Sequence, residues 1–279
     1  MSGSLILVPT PIGNLGDISP RAAEALRTAD FIAAEDTRVS VKLLNHLDIK
    51  KQLVSYHENN KLKSGPQILS RLLSGETCAL VTDAGTPAIS DPGEDLVRLC
   101  ADNGVTVTAI PGPCAAITAL AISGLPTGRF TFEGFLSINK RSRREHLDGL
   151  RNEHRTMIFY EAPHKLIATL NDMAKTFGPE RHVTLCRELT KLHEEALRMT
   201  FGEAIAYYAQ QEPRGEYVLI IEGAPKVEDE KPSMEVCVEM VLALRDEGMS
   251  LKDAVKQISK ENGVPKNTLY DSALQASRG

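Results

Sequence analysis

The chain has 279 residues, of which 42% are hydrophobic and 25% charged, a composition typical of a soluble globular protein. The length allows two domains of ordinary size, and no stretch approaches the roughly 18 consecutive apolar residues of a membrane span. The formal net charge of −5 excludes a chain that is basic overall, so binding to nucleic acid would require a local basic patch.

The five cysteines are scattered and include no C-x-x-C pair. They therefore predict neither a zinc site nor a disulfide framework, and they favour a reducing compartment. The apolar run Leu5–Val8 has no basic segment before it and no cleavage site after it, so no secretory signal is expected. We expect a cytoplasmic protein without a metal site.

Short apolar runs alternate with amphipathic stretches through the first 225 residues. Ser19-Pro20 is typical of a helix start, and Gly75 is typical of a helix end. Continuous apolar runs indicate strands that are covered on both faces, so the alternation predicts an α/β fold with parallel or mixed sheets. The predicted strands are Leu5–Val8, Phe31–Ala34, Cys78–Val81, Val105–Ile110, Met157–Tyr160, Val183–Cys186 and Tyr217–Ile221.

Two boundaries are predicted from changes in composition. A Gly/Pro cluster at Pro111–Pro113 predicts a boundary between α/β domains at 1–113 and 114–225. The charged segment at 226–233 predicts a linker. Residues 234–279 have a purely helical pattern. Ser250 predicts a helix cap and Gly263-Val264-Pro265 a turn, which together outline a helix-turn-helix. The residues alone leave open whether this tail binds nucleic acid or only packs on a partner.

Four loops rich in glycine, proline or charge follow predicted strands, at residues 8–17, 34–38, 81–93 and 110–116. Ligands in open α/β sheets bind outside the carboxyl ends of strands, so we expect these loops to meet at one ligand-binding edge. The G-x-G-x-x-G turn, the P-loop, H-E-x-x-H and G-x-S-x-G are all absent from the sequence. Any cofactor must therefore be held by a less common Gly/Pro arrangement.

The ordered motifs of these loops resemble a known family. They are V-P-T-P-I-G-N-L from Val8, A-A-E-D-T-R from Ala33, V-T-D-A-G-T-P-A-I-S-D-P-G from Val81, P-G-P-C-A-A-I-T-A-L from Pro111 and F-Y-E-A-P-H-K-L from Phe159. In this order they closely resemble the tetrapyrrole methylase superfamily, and in particular its bacterial 16S rRNA (cytidine-2′-O)-methyltransferases. The resemblance covers essentially the whole chain, including the helical tail.

The resemblance implies two α/β domains with S-adenosylmethionine in the cleft between them. It further implies methyl transfer to a cytidine 2′-oxygen of 16S ribosomal RNA in the small subunit, and a homodimer. The residues it implies for donor binding are Pro11, Asp83, Ala84, Gly85, Thr86, Ile89, Ser90, Pro111, Gly112, Cys114, Ala115, Phe159, Tyr160, Glu161, Leu185, Gly215, Glu216 and Tyr217.

A ribose hydroxyl is a poor nucleophile, so a general base is expected beside the donor. The candidates are charged residues within the family motifs, and the sequence does not rank them: Glu35, Asp36, Glu161, Glu188 and Lys191. Arg38 or Arg187 could hold an RNA phosphate. Each of these residues could equally belong to a structural ion pair.

The strongest local basic patch is four cations within five residues, Lys140, Arg141, Arg143 and Arg144. Such a run is commonly a solvated helix face, but in an RNA methyltransferase it predicts an RNA-binding surface. Two alternatives stay open at this point. The chain could methylate a tetrapyrrole precursor, or it could be a nucleic-acid-binding regulator that acts through its terminal helices.

Overall fold

The computed structural model describes residues 3–225 and 232–277. The chain forms two compact units, Met1–Ala224 and Pro225–Gly279. The boundary predicted after Pro113 falls within the first unit and stays a prediction. Most of the predicted linker, residues 226–231, lies outside the described residues.

The first half of the larger unit is a five-stranded parallel sheet in the order β3-β2-β4-β1-β5. Alternate residues of β2 and β4 enter two different cores. Phe31 and Leu80 pack on one face of the sheet, and Ile32 and Ala79 pack on the other. This double burial explains the continuous apolar runs. The elements are β1 (Ser4–Leu7), α1 (Pro20–Thr28), β2 (Phe31–Ala34), α2 (Thr37–His46), β3 (Gln52–Ser55), α3 (Lys61–Leu73), β4 (Cys78–Val81), α4 (Glu94–Asp102) and β5 (Thr106–Ala109).

Because the sheet is parallel, the carboxyl ends of β1, β2, β4 and β5 lie at one edge. The four loops that the sequence predicts as a group therefore leave the sheet at the same edge. Two backbone hydrogen bonds join the first loop to the third. Thr10 N–H donates to the Gly85 carbonyl at 3.0 Å, and Gly85 N–H donates to the Thr10 carbonyl at 3.0 Å.

The second half is a mixed five-stranded sheet in the order β6-β7-β10-β8-β9, in which only the β6–β7 pair is parallel. One face packs on α7 and α8 through residues such as Phe159 and Leu219. The other face packs on α5 through Ile158 and Val218. The elements are α5 (Ala115–Ile122), β6 (Phe130–Phe135), α6 (Lys140–Gly149), β7 (Thr156–Glu161), α7 (Pro163–Phe177), β8 (His182–Arg187), β9 (Glu195–Thr200), α8 (Phe201–Tyr208) and β10 (Tyr217–Ile221).

The predicted α/β class is confirmed, and β2, β4 and β10 have the predicted bounds. The other predicted strands differ by one residue at each end. The sequence does not predict β3, β6 and β9, and each of these lies at the edge of its sheet.

The smaller unit contains α9 (Met234–Asp246), α10 (Leu251–Asn262) and α11 (Lys266–Ala276), packed around a small apolar core. The Ser250 hydroxyl caps α10 by accepting the Asp253 N–H at 3.2 Å. Gly263 ends α10 in the left-handed conformation, with φ 65°. The predicted helix-turn-helix outline is therefore confirmed. None of the described helices is long and apolar enough to span a membrane.

The cap of α10 gives a stability prediction. Ser250→Ala should destabilise the smaller unit by about 1 kcal/mol, because the Asp253 N–H loses its acceptor. Hydrogen exchange of the α10 amides measures this change. Ser272→Ala, a mid-helix serine with no side-chain hydrogen bond to any described residue, is the control and should leave exchange unchanged or slower. Equal exchange in the Ser250 variant and the unaltered protein contradicts the prediction.

Candidate active site

A cavity of about 420 Å³ lies where the loops of the parallel sheet meet α5 and strands β7, β8 and β10. The residues predicted for donor binding that line it are Ala84, Gly85, Thr86, Ile89, Ser90, Cys114, Ala115, Tyr160, Glu161, Glu216 and Tyr217. The wall is completed by residues that the sequence does not predict: Ile12, Asp91, Phe135, Ala162, Pro163, Cys186, Leu189 and Val218. Both sheets thus contribute to one cavity.

The other residues predicted for donor binding are not part of this wall: Pro11, Asp83, Pro111, Gly112, Phe159, Leu185 and Gly215. Phe159 and Leu185 are fully buried in the core on the α7 side of the sheet. Side chains alternate across a strand, so their neighbours Tyr160 and Cys186 face the cavity instead. The alternation of side chains along β8 is the signal in the sequence that identifies Cys186 in place of Leu185.

The long third loop is fixed by contacts to the loops beside it. The Thr86 hydroxyl donates to the Pro113 carbonyl at 2.8 Å, in addition to the Thr10–Gly85 bridge. Gly112 packs directly on Pro9, since an added Cβ would lie 2.8 Å from the Pro9 Cβ. Gly112 therefore supports the cavity from outside by joining the first and fourth loops.

Tyr160 fastens α5 to the second sheet. Its hydroxyl accepts the Ala116 N–H at 3.1 Å, and its ring stacks edge-on against Phe132 and Phe135. Burial raises the pKa of Tyr160 to about 12, so the group is a neutral phenol at neutral pH. Cys114 makes no side-chain cap at the start of α5. The cavity wall therefore includes the positive end of a helix dipole.

A strained loop after β8 closes another side of the cavity. Glu188 and Thr190 have positive φ values of 51° and 66°, which is costly for a β-branched residue such as Thr190. Lys191 Nζ holds the loop by donating at 2.9 Å to Glu188 and at 2.9 Å to Glu216. Leu189 between the two strained residues lines the cavity.

Lys191, Glu188 and Glu216 form a clamp on this loop, and their contacts determine which of the groups are charged. Burial alone would raise the pKa of Glu188, but the Lys191 hydrogen bond and the Glu216 N–H bring it below its ordinary value. Burial alone would lower the pKa of Lys191, but hydrogen bonds to Glu216 and Glu188 bring it above its ordinary value. Lys191 is therefore a cation and Glu188 an anion at neutral pH, and neither is free to move a proton.

Glu161 lines the cavity but has both carboxylate oxygens occupied. One accepts the Ala162 N–H at 2.9 Å, and the other accepts the hydroxyl of Thr169. Its side chain is buried, with an exposed fraction of 4% for the residue. Glu161 thus fixes the start of α7 at the cavity wall.

A second, acidic cavity of about 490 Å³ lies at the carboxyl ends of β2, β3 and β4 and includes Glu35, Asp36, Arg38 and Asp83. The Asp36 N–H donates to the Asp83 carboxylate at 3.1 Å. Arg38 pairs with Asp36 at 2.6 Å, and that hydrogen bond lowers the pKa of Asp36 to about 2. Asp36 is therefore a very weak base.

Glu35 differs from its neighbours in being half-buried among like charges. Burial raises its pKa first, followed by the carboxylates of Asp91, Asp83 and Asp36, while the Asp83 N–H at 3.4 Å opposes the shift. Burial also raises the pKa values of Asp83 and Asp91. Asp91 lines the first cavity, so the acidic group extends from one cavity to the other.

The remaining predicted residues lie elsewhere in the larger unit. Arg187 pairs with Glu195 at 3.3 Å, and its buried Nε has no hydrogen-bond partner among the described residues. The four cations Lys140, Arg141, Arg143 and Arg144 are on α6 and line a separate groove against α7. Within the described ranges, no cluster of three or more His, Cys, Asp or Glu side chains could hold a metal ion.

The turn before β10 gives a second prediction. Gly215 has φ 79°, and an added Cβ would lie 2.5 Å from the Glu188 Cγ. Gly215→Ala should therefore cost about 1–2 kcal/mol of stability and lower the unfolding midpoint by a few degrees. Gly128→Ala is the control, since an added Cβ there meets no atom within 4 Å. Equal midpoints for the two variants contradict the prediction.

Comparisons with known proteins agree with this architecture. Residues 4–205 match the family of Tetrapyrrole (Corrin/Porphyrin) Methylases, and residues 234–277 match the RsmI C-terminal HTH domain. The chain is 46% identical to "Ribosomal RNA small subunit methyltransferase I" of Synechocystis sp. over 98% of both chains. It is 49% identical to the protein of the same name in Halalkalibacterium halodurans, over 96% of this chain and 94% of that one.

The fold also occurs among solved structures. A uroporphyrin-III C-methyltransferase from Thermus thermophilus, complexed with S-adenyl homocysteine, superposes with a TM-score of 0.55 at 18% identity. The match covers 79% of this chain and 97% of that one. The chain belongs to the tetrapyrrole methylase family and, within it, to the group of relatives named ribosomal RNA small subunit methyltransferase I.

Proposed function

We propose that this protein is an S-adenosylmethionine-dependent methyltransferase that modifies a cytidine 2′-oxygen of 16S ribosomal RNA in the small subunit. The observation that carries the proposal is similarity over the full length, across the α/β unit and the helical tail together. The cytoplasm is the compartment where such a substrate is made. A homodimer, implied by the resemblance, is part of the proposal and is testable by light scattering.

The cavity between the two sheets suits the methyl donor. Its volume is within the usual range for small-molecule sites, and its walls combine apolar side chains with exposed backbone. Ile12, Ile89 and Val218 offer apolar surface for an adenine ring. The backbone of Thr86 can bind ribose or base, and the start of α5 presents the positive end of its helix dipole to a carboxylate. The cofactor would supply a methyl group already activated on a sulfonium.

The residues around this cavity then have to align a ribose hydroxyl with that methyl group. Alignment of this kind can supply roughly 7–11 kcal/mol of the barrier. The loop clamp of Lys191, Glu188 and Glu216 and the Tyr160–Ala116 bond keep two walls rigid. Rigid walls favour a fixed attack geometry.

Comparison of the five base candidates favours Glu35. Lys191 is protonated, Glu188 and Asp36 have lowered pKa values, and both oxygens of Glu161 are occupied. Glu35 is a carboxylate with a raised pKa, which makes it a better proton acceptor. Glu35 is thus assigned as the general base, and Arg38, which lines the same cavity, stays paired with Asp36.

Glu35→Gln should lower kcat by roughly 10²–10⁴-fold, because it removes the proton acceptor but retains the shape of the side chain. The sign of the pH effect follows from the raised pKa. The active carboxylate form is lost as pH falls through that pKa, so the acid limb of kcat lies above 4.5, the ordinary value for glutamate. The variant should lose this limb. Methyl transfer measured from acid to neutral pH tests both points.

Glu58→Gln is the matched control, since Glu58 lines the same acidic cavity and its loss removes the same charge. It should retain kcat within a few-fold and keep the acid limb. If Glu35→Gln behaves like this control, Glu35 is not the base. An unchanged thermal shift with S-adenosylmethionine shows that the donor cavity is intact in both variants.

The proposed function is tested by methyl transfer from labelled S-adenosylmethionine to small ribosomal subunits that lack the modification. Label should appear in 16S RNA at a cytidine ribose, and a free tetrapyrrole precursor should accept none. Saturating donor at a hundredfold excess over Kd should stabilise the folded protein by about 2.7 kcal/mol. Label on the tetrapyrrole, or no thermal shift, would refute the proposal.

The two alternatives from the sequence are less well supported. The solved uroporphyrin methyltransferase shares the fold at 18% identity, whereas the ribosomal relatives also share the tail. A regulator that used only its terminal helices would leave the cavity of the larger unit without a purpose. The ribosomal RNA methyltransferase is therefore the function proposed here.

A further inference from the structure

A groove of about 620 Å³ runs between α6 and α7, apart from the donor cavity. Six cations and two carboxylates line it, whereas the whole chain carries a net charge of −5. The groove thus concentrates positive charge on an acidic protein. Its charged lining residues are Lys140, Arg141, Arg143, Arg144, Arg151, Lys175, Asp148 and Asp172.

Three of these cations have no partner of opposite charge in the part of the chain that the structure describes. Lys140, Arg144 and Lys175 are exposed and form no ion pair with any residue of the described ranges. Arg141 and Arg151 make only exposed pairs, with Glu145 at 2.8 Å and Asp148 at 3.0 Å. Such surface pairs are worth at most about 1 kcal/mol and exchange readily for another anion.

Arg143 differs from the other cations of the groove. Its side chain is only 12% exposed, and it donates to Asp172 at 2.7 Å and to the Thr169 hydroxyl at 2.8 Å. Thr169 in turn donates to Glu161, which lines the donor cavity. Arg143 is therefore a structural link between groove and cavity, and its loss would disturb the cavity as well as the groove.

The groove is close to the donor cavity. Phe135 lines the cavity and Lys140 lines the groove, so the two are joined by five residues of chain. Five residues span at most about 18 Å, and this segment also exposes Ile138. A strand that is bound in the groove can therefore reach the cavity within a few nucleotides.

The lining chemistry indicates a phosphate backbone. None of the groove's lining residues in the described chain is aromatic, whereas the cores of protein interfaces are rich in aromatic residues and depleted in charged ones. Guanidinium and ammonium groups match phosphodiesters. We propose that the α6–α7 groove binds the phosphodiester backbone of the RNA substrate and directs the acceptor nucleotide toward the donor cavity. This inference depends on the proposed function and identifies where the substrate binds.

The test is a triple variant, Lys140→Gln, Arg144→Gln and Lys175→Gln, which leaves Arg143 in place. Its control is Arg21→Gln, Lys42→Gln and Lys50→Gln, which removes the same charge from three exposed cations on the first sheet's side of the chain. Methyl transfer to unmodified small subunits is measured at several salt concentrations. Donor binding is followed by thermal shift with S-adenosylmethionine.

The groove variant should raise KM for subunits by roughly tenfold. The slope of log KM against log salt concentration should fall by about 2, because up to three phosphate contacts are lost. Its kcat and donor shift should match the unaltered protein. A charge-conserving variant, Lys140→Arg with Arg144→Lys and Lys175→Arg, should restore KM. The control triple should change KM little.

Two results would overturn the inference. If the groove variant keeps the KM and salt slope of the unaltered protein, the groove does not bind RNA although the enzyme is a methyltransferase. If both triple variants raise KM equally, overall charge and not the groove is responsible. Failure of the unaltered protein to methylate subunits is a separate outcome that removes the proposed function and, with it, this inference.

Discussion

The active site depends on the register of β10 with its two neighbours. Val218 pairs with Tyr160 on β7 and with Cys186 on β8, whereas Leu219 pairs with Phe159 and Leu185. The first row faces the cavity and the second the core. A slip of one residue would exchange the rows and remove the Tyr160 hydroxyl from α5. Because α5 carries Cys114 and Ala115, the meeting of the two halves of the cavity depends on this register.

The sequence predicts the fold well where strands are buried on both faces. The strands β2, β4 and β10 are uninterrupted apolar runs, and their bounds are confirmed. The strands β3, β6 and β9 are partly exposed and contain polar residues, because an edge strand has a neighbour on one side only. The QLVS of β3 and the EALRMT of β9 lack both a continuous apolar run and a clear alternation, and the F-T-F-E alternation of β6 is interrupted at Gly134. Tertiary pairing therefore decides where these strands form.

The residues of the site also fall into those that local sequence features predict and those that depend on tertiary structure. Loop residues of the parallel sheet, such as Gly85 and Ile89, were predictable because turn chemistry and strand ends are local features. The parts contributed by Pro163 and Leu189 depend on how two sheets meet, and a linear pattern holds no such information. The ranking of the bases also required the structure. Only the contacts show that Lys191 is clamped between two glutamates while Glu35 is crowded by carboxylates.

The charges on the larger unit form a consistent pattern around the cavity. Glu35, Asp83 and Asp91 make one edge acidic, and the α6–α7 groove makes another surface basic. Burial raises the pKa of Glu35 most, and the neighbouring carboxylates raise it further, so a basic edge at that point would weaken the proposed base. The same acidic edge repels phosphates, which the groove attracts. In the proposed complex, an RNA strand is therefore held on the groove side, and only the acceptor ribose approaches the carboxylates. The net charge of −5 is thus compatible with RNA binding, because the positive charge is confined to the surface that contacts the backbone.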